Sequence, residues 1–164
     1  MIIRPVNPQD SQGFLDMLKQ LDKETSFMMF EPGERTTTVK DMEETLQNMS
    51  NSGSLTLILE DEGRIAGFLS ASRGSAVRIR HRAYLVIGIL KAYRGNGFGE
   101  ALFKKLEKWA LEQGITRLEL TVMTHNKAAL HLYENMGFKI EGTKEKSLKV
   151  NGTYVDEYYM GKIL

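Results

Sequence analysis

Leu85-Val86-Ile87-Gly88-Ile89-Leu90-Lys91-Ala92-Tyr93-Arg94-Gly95-Asn96-Gly97-Phe98-Gly99 decides how the chain folds. Its first half is an apolar run rich in Val and Ile, which reads as a buried strand. Lys91 to Gly97 reads as a tight connection, and Glu100 to Gln113 as a helix whose Leu102, Leu106, Trp109 and Ala110 recur on one face. Gly114 supplies a C-terminal stop.

A helix that starts inside a glycine loop presents unpaired N–H groups and the positive end of its dipole, which suits an anion such as a diphosphate. Gly95, Gly97 and Gly99 would let the backbone approach the phosphates and adopt positive φ, and Arg94 adds a fixed charge at the rim. A dinucleotide fingerprint anchored on Gly95 and Gly97 would need glycine at position 100, where Glu100 stands. No Gly-Lys-Ser/Thr closes a P-loop.

Outward from this unit, Ile2-Ile3-Arg4-Pro5 reads as a short strand ended by proline. Asp10 or Ser11 caps a helix with Phe14, Met17, Leu18 and Leu21 on one face, running to about Glu24. Thr25 to Thr37, with Pro32-Gly33, reads as a loop. Thr38-Val39-Lys40-Asp41 forms a capping box for a helix with Val39, Met42, Leu46 and Met49 inward, stopped at Asn51-Ser52-Gly53. Leu55–Glu60 and Ile65–Ser72 are strands of a hairpin turned by Asp61-Glu62-Gly63. Leu118 to Val122 alternates as a strand, so the central strand, helix and next strand form a crossover unit with parallel pairing. Asn126 caps a helix from Lys127 to about Met136, and a strand from Phe138 to Val150, interrupted near Gly142, turns at Asn151-Gly152 into a last strand, Thr153–Lys162. The expected fold is α/β (α+β), one domain over residues 1–164: a mixed, mostly antiparallel sheet of six to seven strands flanked by about four helices.

Arg94-Gly95-Asn96-Gly97-Phe98-Gly99 resembles the Arg/Gln-x-x-Gly-x-Gly/Ala signature of the GNAT N-acetyltransferases, and Asn126-Lys127-Ala128-Ala129-Leu130-His131-Leu132-Tyr133-Glu134-Asn135-Met136-Gly137-Phe138 resembles that family's Asn-x-x-Ala-x-x-x-Tyr-x-x-x-Gly-Phe segment. The order of elements is similar to the family topology over essentially the whole chain. The resemblance implies transfer of acetyl from acetyl-CoA to a primary amine by direct attack in a ternary complex. It places Ile87, Gly88 and Ile89 of the central strand, Arg94, Gly95, Asn96, Gly97, Phe98, Gly99 and Glu100 of the loop, and Asn126 and Tyr133 around the cofactor. Tyr133 would stand near the thioester sulfur as proton donor, and a backbone N–H near Ile89 or Leu90 would stabilise the acetyl oxygen. The alternative is a noncatalytic acyl-CoA-binding protein of the same fold. Without the family pattern, Tyr133 is a half-buried core aromatic and Asn126 a helix cap.

The acceptor's proton is the unassigned step. Many relatives carry a carboxylate on the central strand, but from Ala83 to Leu90 the sole titratable side chain is Tyr84. Glu24, Glu31, Glu34, His81 and Glu157 are the substitutes, beside a water chain or an amine that arrives already neutral. Thr25–Thr37 and the Asn151-Gly152 hairpin are where the family builds its acceptor pocket; Glu24, Glu31, Glu34, Asp156 and Glu157 would make it acidic, suiting a polyamine, an aminoglycoside or a protein N-terminus.

A net charge of +1 and interspersed acids and bases argue against nucleic acid or an anionic membrane as partner. The cluster Arg73, Arg78, Arg80, His81, Arg82 is the local exception, a solvated strand end or loop, or else an aid to CoA phosphates or to an acidic partner. No cysteine is present, which excludes disulfides, thiolate nucleophiles and Cys-based metal sites; His81, His125 and His131 lack metal-ligand spacing, so no metal is expected. The N-terminus lacks the apolar core of a signal peptide and no run approaches a membrane span, so a soluble, cytoplasmic protein is expected. Family members are often homodimers, although no stretch marks an interface here.

Overall fold

Alternating side chains give the sheet two apolar faces, and the computed structural model, which describes residues 1–164, covers each with a pair of helices. Strands β1 (Ile2–Pro5), β2 (Leu55–Asp61), β3 (Arg64–Arg73), β4 (Arg82–Ile89), β5 (Arg117–Met123), β6 (Lys139–Val150) and β7 (Thr153–Ile163) form one seven-stranded sheet in the order β1-β2-β3-β4-β5-β7-β6. Every neighbouring pair is antiparallel except β4 and β5. This is the mixed, mostly antiparallel sheet expected, flanked by α1 (Ser11–Glu24), α2 (Val39–Asn51), α3 (Phe98–Glu112) and α4 (Lys127–Asn135).

On one face, Leu102, Phe103, Leu106 and Ala110 of α3 and Tyr133 of α4 pack on Ala83, Leu85, Leu118, Leu120, Val122 and Met160. On the other, Phe14, Leu15, Leu18 and Leu21 of α1 and Met42 and Leu46 of α2 cover Ile58 and Phe68. The Thr38–Asp41 capping box is present, with the Asp41 N–H donating to Thr38 Oγ1 (3.1 Å) and the Thr38 N–H to Asp41 Oδ2 (3.0 Å). The central strand reaches back to Arg82, and α3 begins at Phe98 rather than Glu100. The break expected in β6 near Gly142 is there, and a second register shift falls between Lys144 and Leu148.

Arg4 ties β1 to β2 and to the turn before α1, donating to Asp10 (2.7 and 2.9 Å) and Glu60 (2.6 Å). The hydrogen bond from Arg4, helped by the Asn7 N–H, holds the Asp10 carboxyl below its ordinary value against the opposing effect of burial. Arg117 does the same for Glu141 across β5 and β6. Folded values depressed in this way add stability above the unfolded carboxyl range, near pH 4, and lose it as pH falls through the folded values. The urea midpoint should therefore drop between pH 6 and pH 3, and Asp10→Asn should narrow that drop.

Candidate active site

Backbone accounting along β4 locates an opening in the sheet. β3 follows β4 as far as Ile89 and β7 follows β5 as far as Met123, but β4 and β5 pair only over Arg82–Tyr84 and Arg117–Glu119. Beyond Tyr84 the two parallel strands part. The Leu90 N–H donates to the Ala66 carbonyl (2.9 Å) and the Gly74 N–H to the Arg82 carbonyl (3.1 Å), so even-numbered residues of β4 bond to β3. By the alternation of an antiparallel ladder, Ile87 and Ile89 aim their backbone groups at the gap. Of the two oxyanion donors expected, Leu90 is thus already engaged and Ile89 is the one that faces the opening.

The loop after β4 is a cradle of donors. The N–H groups of Gly95, Asn96, Gly97, Phe98, Gly99 and Glu100 have no acceptor within the protein. Gly95 (φ +75°) and Gly97 (φ +78°) take left-handed conformations, as expected, with open space where a Cβ would stand. Gly99 does not take the positive φ expected of it, and a Cβ there would lie 2.8 Å from Leu132 Cδ2, so it permits close packing of α3 on α4. The Asn96 side chain braces the turn by donating to the Arg94 carbonyl (3.1 Å). Arg94 sits at the rim with Nε donating to the Ile89 carbonyl (2.7 Å) and a terminal nitrogen 3.9 Å from Glu24. Glu100 offers its N–H, while its carboxylate pairs with Lys104 (2.6 Å).

On the α3–α4 side of the gap, Tyr133 is buried with its ring edge-on to Phe103 (centroids 5.8 Å apart) and tilted against Phe138 (6.1 Å). Its hydroxyl makes no hydrogen bond in the protein, yet no fully buried side-chain oxygen lacks a partner, so this hydroxyl reaches open space. Burial, reinforced by Tyr84, pushes the phenol well above its ordinary value, so it stays protonated at neutral pH. Asn126 caps α4 by accepting the Ala129 N–H (3.2 Å), which leaves its amide nitrogen as the free group.

The opposite side of the gap holds a cleft of about 450 Å³. Met28, Met29, Phe30, Glu31 and Glu34 of the α1–α2 loop, Met123 of β5, and Leu148 to Asn151 of the β6–β7 hairpin line it. Met28 lies over β4, its sulfur 3.6 Å from where a Cβ on Gly88 would stand. The loop touches the β5–α4 connection through Phe27 and His125 (ring centroids 5.2 Å). The loop and hairpin thus meet as expected, but the acidic residues do not all gather. Lys23 and Lys149 line the cleft beside Glu31 and Glu34, whereas Asp156 accepts the Lys146 N–H (2.8 Å). Glu24 accepts the Lys91 N–H (2.7 Å). Burial raises the Glu24 carboxyl, but Gln20, the Lys91 N–H and the charges of Arg94 and Lys91 outweigh it and leave it below its ordinary value.

Within the arginine cluster, Arg73 donates to the carbonyls of Arg80 (2.9 Å) and of Gln113 just past α3 (3.1 Å), and Arg82 pairs with the Glu119 carboxylate (3.5 Å). The cluster lies at the other end of β4, roughly 20 Å from the glycine loop, so neither it nor His81 reaches the site. No group of three or more His, Cys, Asp or Glu is placed to hold a metal, and no helix is long and apolar enough to cross a membrane.

A loop of free N–H donors beside a gap between two parted strands defines a site for a ligand with an anionic head and a slender arm. The chain belongs to the acetyltransferase (GNAT) family, which it matches over residues 15–138. It is 32% identical to an L-amino acid N-acetyltransferase of Escherichia coli K12 over 106 residues, 62% of this chain and 64% of that protein, so the match spans less than two thirds of that relative. It is 28% identical to a spermidine N(1)-acetyltransferase of the same organism over 163 residues, 93% of this chain and 80% of the relative. A GNAT-family acetyltransferase from Streptococcus pneumoniae superposes with a TM-score of 0.95 at 36% identity, covering 99% of both chains. The resemblance read from the two motif segments is thereby confirmed, and with it the GNAT fold.

Proposed function

We propose that the protein transfers the acetyl group of acetyl-CoA to a primary amine by direct attack within a ternary complex. The observation that carries this reading is two-sided access to one gap. The donor cradle at Gly95–Glu100 and the Tyr133 hydroxyl lie on the α3–α4 side, and a separate cleft opens from the α1–α2 loop side. Donor and acceptor can therefore be bound together without a covalent carrier, and the chain has no thiol to act as one. In this reading the cradle holds the diphosphate, Ile87 and the Asn126 amide line the pantetheine arm, and the Ile89 N–H meets the acetyl oxygen as charge develops. Tyr133 donates a hydrogen bond to the departing sulfur. A thiolate near pKa 8.5 takes a hydrogen bond from a protonated phenol and completes its protonation from water.

Released CoA thiol, followed with spermidine and a panel of free L-amino acids, tests the reading without background from the protein. Turnover with at least one amine is expected. Acetyl-CoA binding without turnover on any amine would favour a noncatalytic acyl-CoA-binding role instead. Tyr133→Phe should lower kcat about 100-fold and leave acetyl-CoA affinity within about twofold, because the ring contacts with Phe103 and Phe138 persist. An unchanged kcat would remove Tyr133 from the mechanism.

A further inference from the structure

β4 carries no carboxylate at the gap, and the fold sorts the possible substitutes. His81 is at the far end of β4, Glu24 is turned to the Lys91 N–H, and Glu31 and Glu34 are both exposed in one turn, where Glu34 accepts the Glu31 N–H (2.8 Å). Glu157 is placed differently. On β7, Tyr158 and Met160 face the α3–α4 core, so Glu157 points to the acceptor side of the sheet. It is the direct cross-strand neighbour of Met123, which lines the cleft. The Thr124 N–H bonds to the Asp156 carbonyl (3.0 Å), which makes Met123 and Glu157 a non-hydrogen-bonded pair, the kind whose side chains lie closest. In the parallel register, Met123 falls opposite Gly88 across the gap.

A local distortion holds this carboxylate. β6 bulges between Lys144 and Leu148, and Lys146 within the bulge takes a left-handed conformation (φ +47°). Its N–H is accepted by Asp156, and the bulge brings the Ser147 hydroxyl to donate to Glu157 Oε1. A lysine in this backbone region is strained by about 1–2 kcal/mol. Two consecutive acids of β7 thus clamp one strained turn of β6, leaving Glu157 Oε2 without a protein partner.

The geometry points to Glu157, oriented by Ser147, as the base that takes the acceptor's proton, an assignment that rests on the acetyl-transfer reading above. The ammonium gives one proton to Glu157, directly or through one water; the nitrogen lone pair forms the C–N bond; the C–S bond breaks with its electron pair leaving on sulfur beside Tyr133; and the second proton, shed from nitrogen as the amide forms, passes through water to the thiolate. The charged and titratable groups around Glu157 are Lys144 opposite it on β6, Tyr159 on its own face of β7, and Lys23, Lys149, Glu31 and Glu34 at the cleft.

With an amine that the wild-type enzyme acetylates, kcat/KM is measured from pH 6 to 10 for wild type, Glu157→Gln and Ser147→Ala, beside calorimetric titration of each with acetyl-CoA. The titration shows that fold and cradle survive. Glu157→Gln should bind acetyl-CoA as wild type, lose about 100-fold in kcat/KM at pH 7, and recover as pH approaches the amine's own pKa, where the amine arrives neutral. Ser147→Ala should show a smaller loss of the same shape. A Glu157→Gln loss that is equal at every pH, or under threefold at pH 7, overturns the assignment and leaves acetyl transfer standing. Absence of wild-type turnover on every amine overturns both.

Discussion

Gly97→Val should weaken acetyl-CoA binding about 100-fold, equivalent to ~2.7 kcal/mol. The residue sits at φ +78°, ψ 2° as the cap of α3, and a Cβ there meets nothing within 4 Å. Packing is therefore not the obstacle. A β-branched residue pays for a left-handed conformation by about 1–2 kcal/mol, which the loop relieves by turning its N–H groups away from their common focus. In the proposed reading the cradle depends on that focus, because the free N–H groups from Gly95 to Glu100 would act on one anion together. Gly97→Ala should fall between the two proteins. Gly99→Ala is the informative control: its added Cβ presses on Leu132, the end of a flexible side chain, so it should cost stability and spare affinity. Calorimetry with acetyl-CoA and a thermal melt of each variant separate the effects. Undiminished affinity in Gly97→Val would show that the loop is a turn and no cradle.

How far the sequence led depends on how local each feature is. The left-handed Gly95 and Gly97, the Thr38–Asp41 capping box and the hairpin turn at Glu62-Gly63 are set by residues within a few positions of one another, and each is legible in the sequence. The packing constraint on Gly99 is not legible in its own segment, because it comes from Leu132, on another helix. Parallel pairing of β4 with β5 was legible from the crossover, but not that it stops at Tyr84, since strand splay leaves no mark in either strand's pattern. Glu157 was one of five possible bases until the β5–β7 register put it beside Met123. The β6 bulge had no signal at all: Glu145-Lys146-Ser147 is polar and lacks glycine, and the Asp156 carboxylate that accepts the N–H of its left-handed Lys146 lies on another strand.

Arg35→Ala should destabilise the protein by about 3 kcal/mol, a fall in Tm of roughly 6–12 °C for a chain of this size. Asp22 on α1 is 1% exposed, and Arg35 grips it with two parallel hydrogen bonds (2.9 and 3.0 Å) while its guanidinium lies 4.6 Å from the Phe30 ring centroid. Removing the arginine leaves a buried carboxylate with no partner, and that penalty, more than the loss of attraction, sets the size of the effect. Arg35→Lys should recover little, because an ammonium cannot supply the planar fork. The same pair pins the far end of the α1–α2 loop, whose Met28, Met29, Phe30, Glu31 and Glu34 line the cleft, so acceptor KM should rise while acetyl-CoA affinity, which the proposed reading assigns to the loop before α3, stays as it was. Joint replacement, Asp22→Leu with Arg35→Met, separates the two roles. An apolar pair of similar volume removes the stranded charge and should restore most of the Tm. It cannot restore the direction of a bidentate ion pair, so the raised KM should remain. A KM that returns with the Tm would mean that the pair acts on the cleft through stability alone.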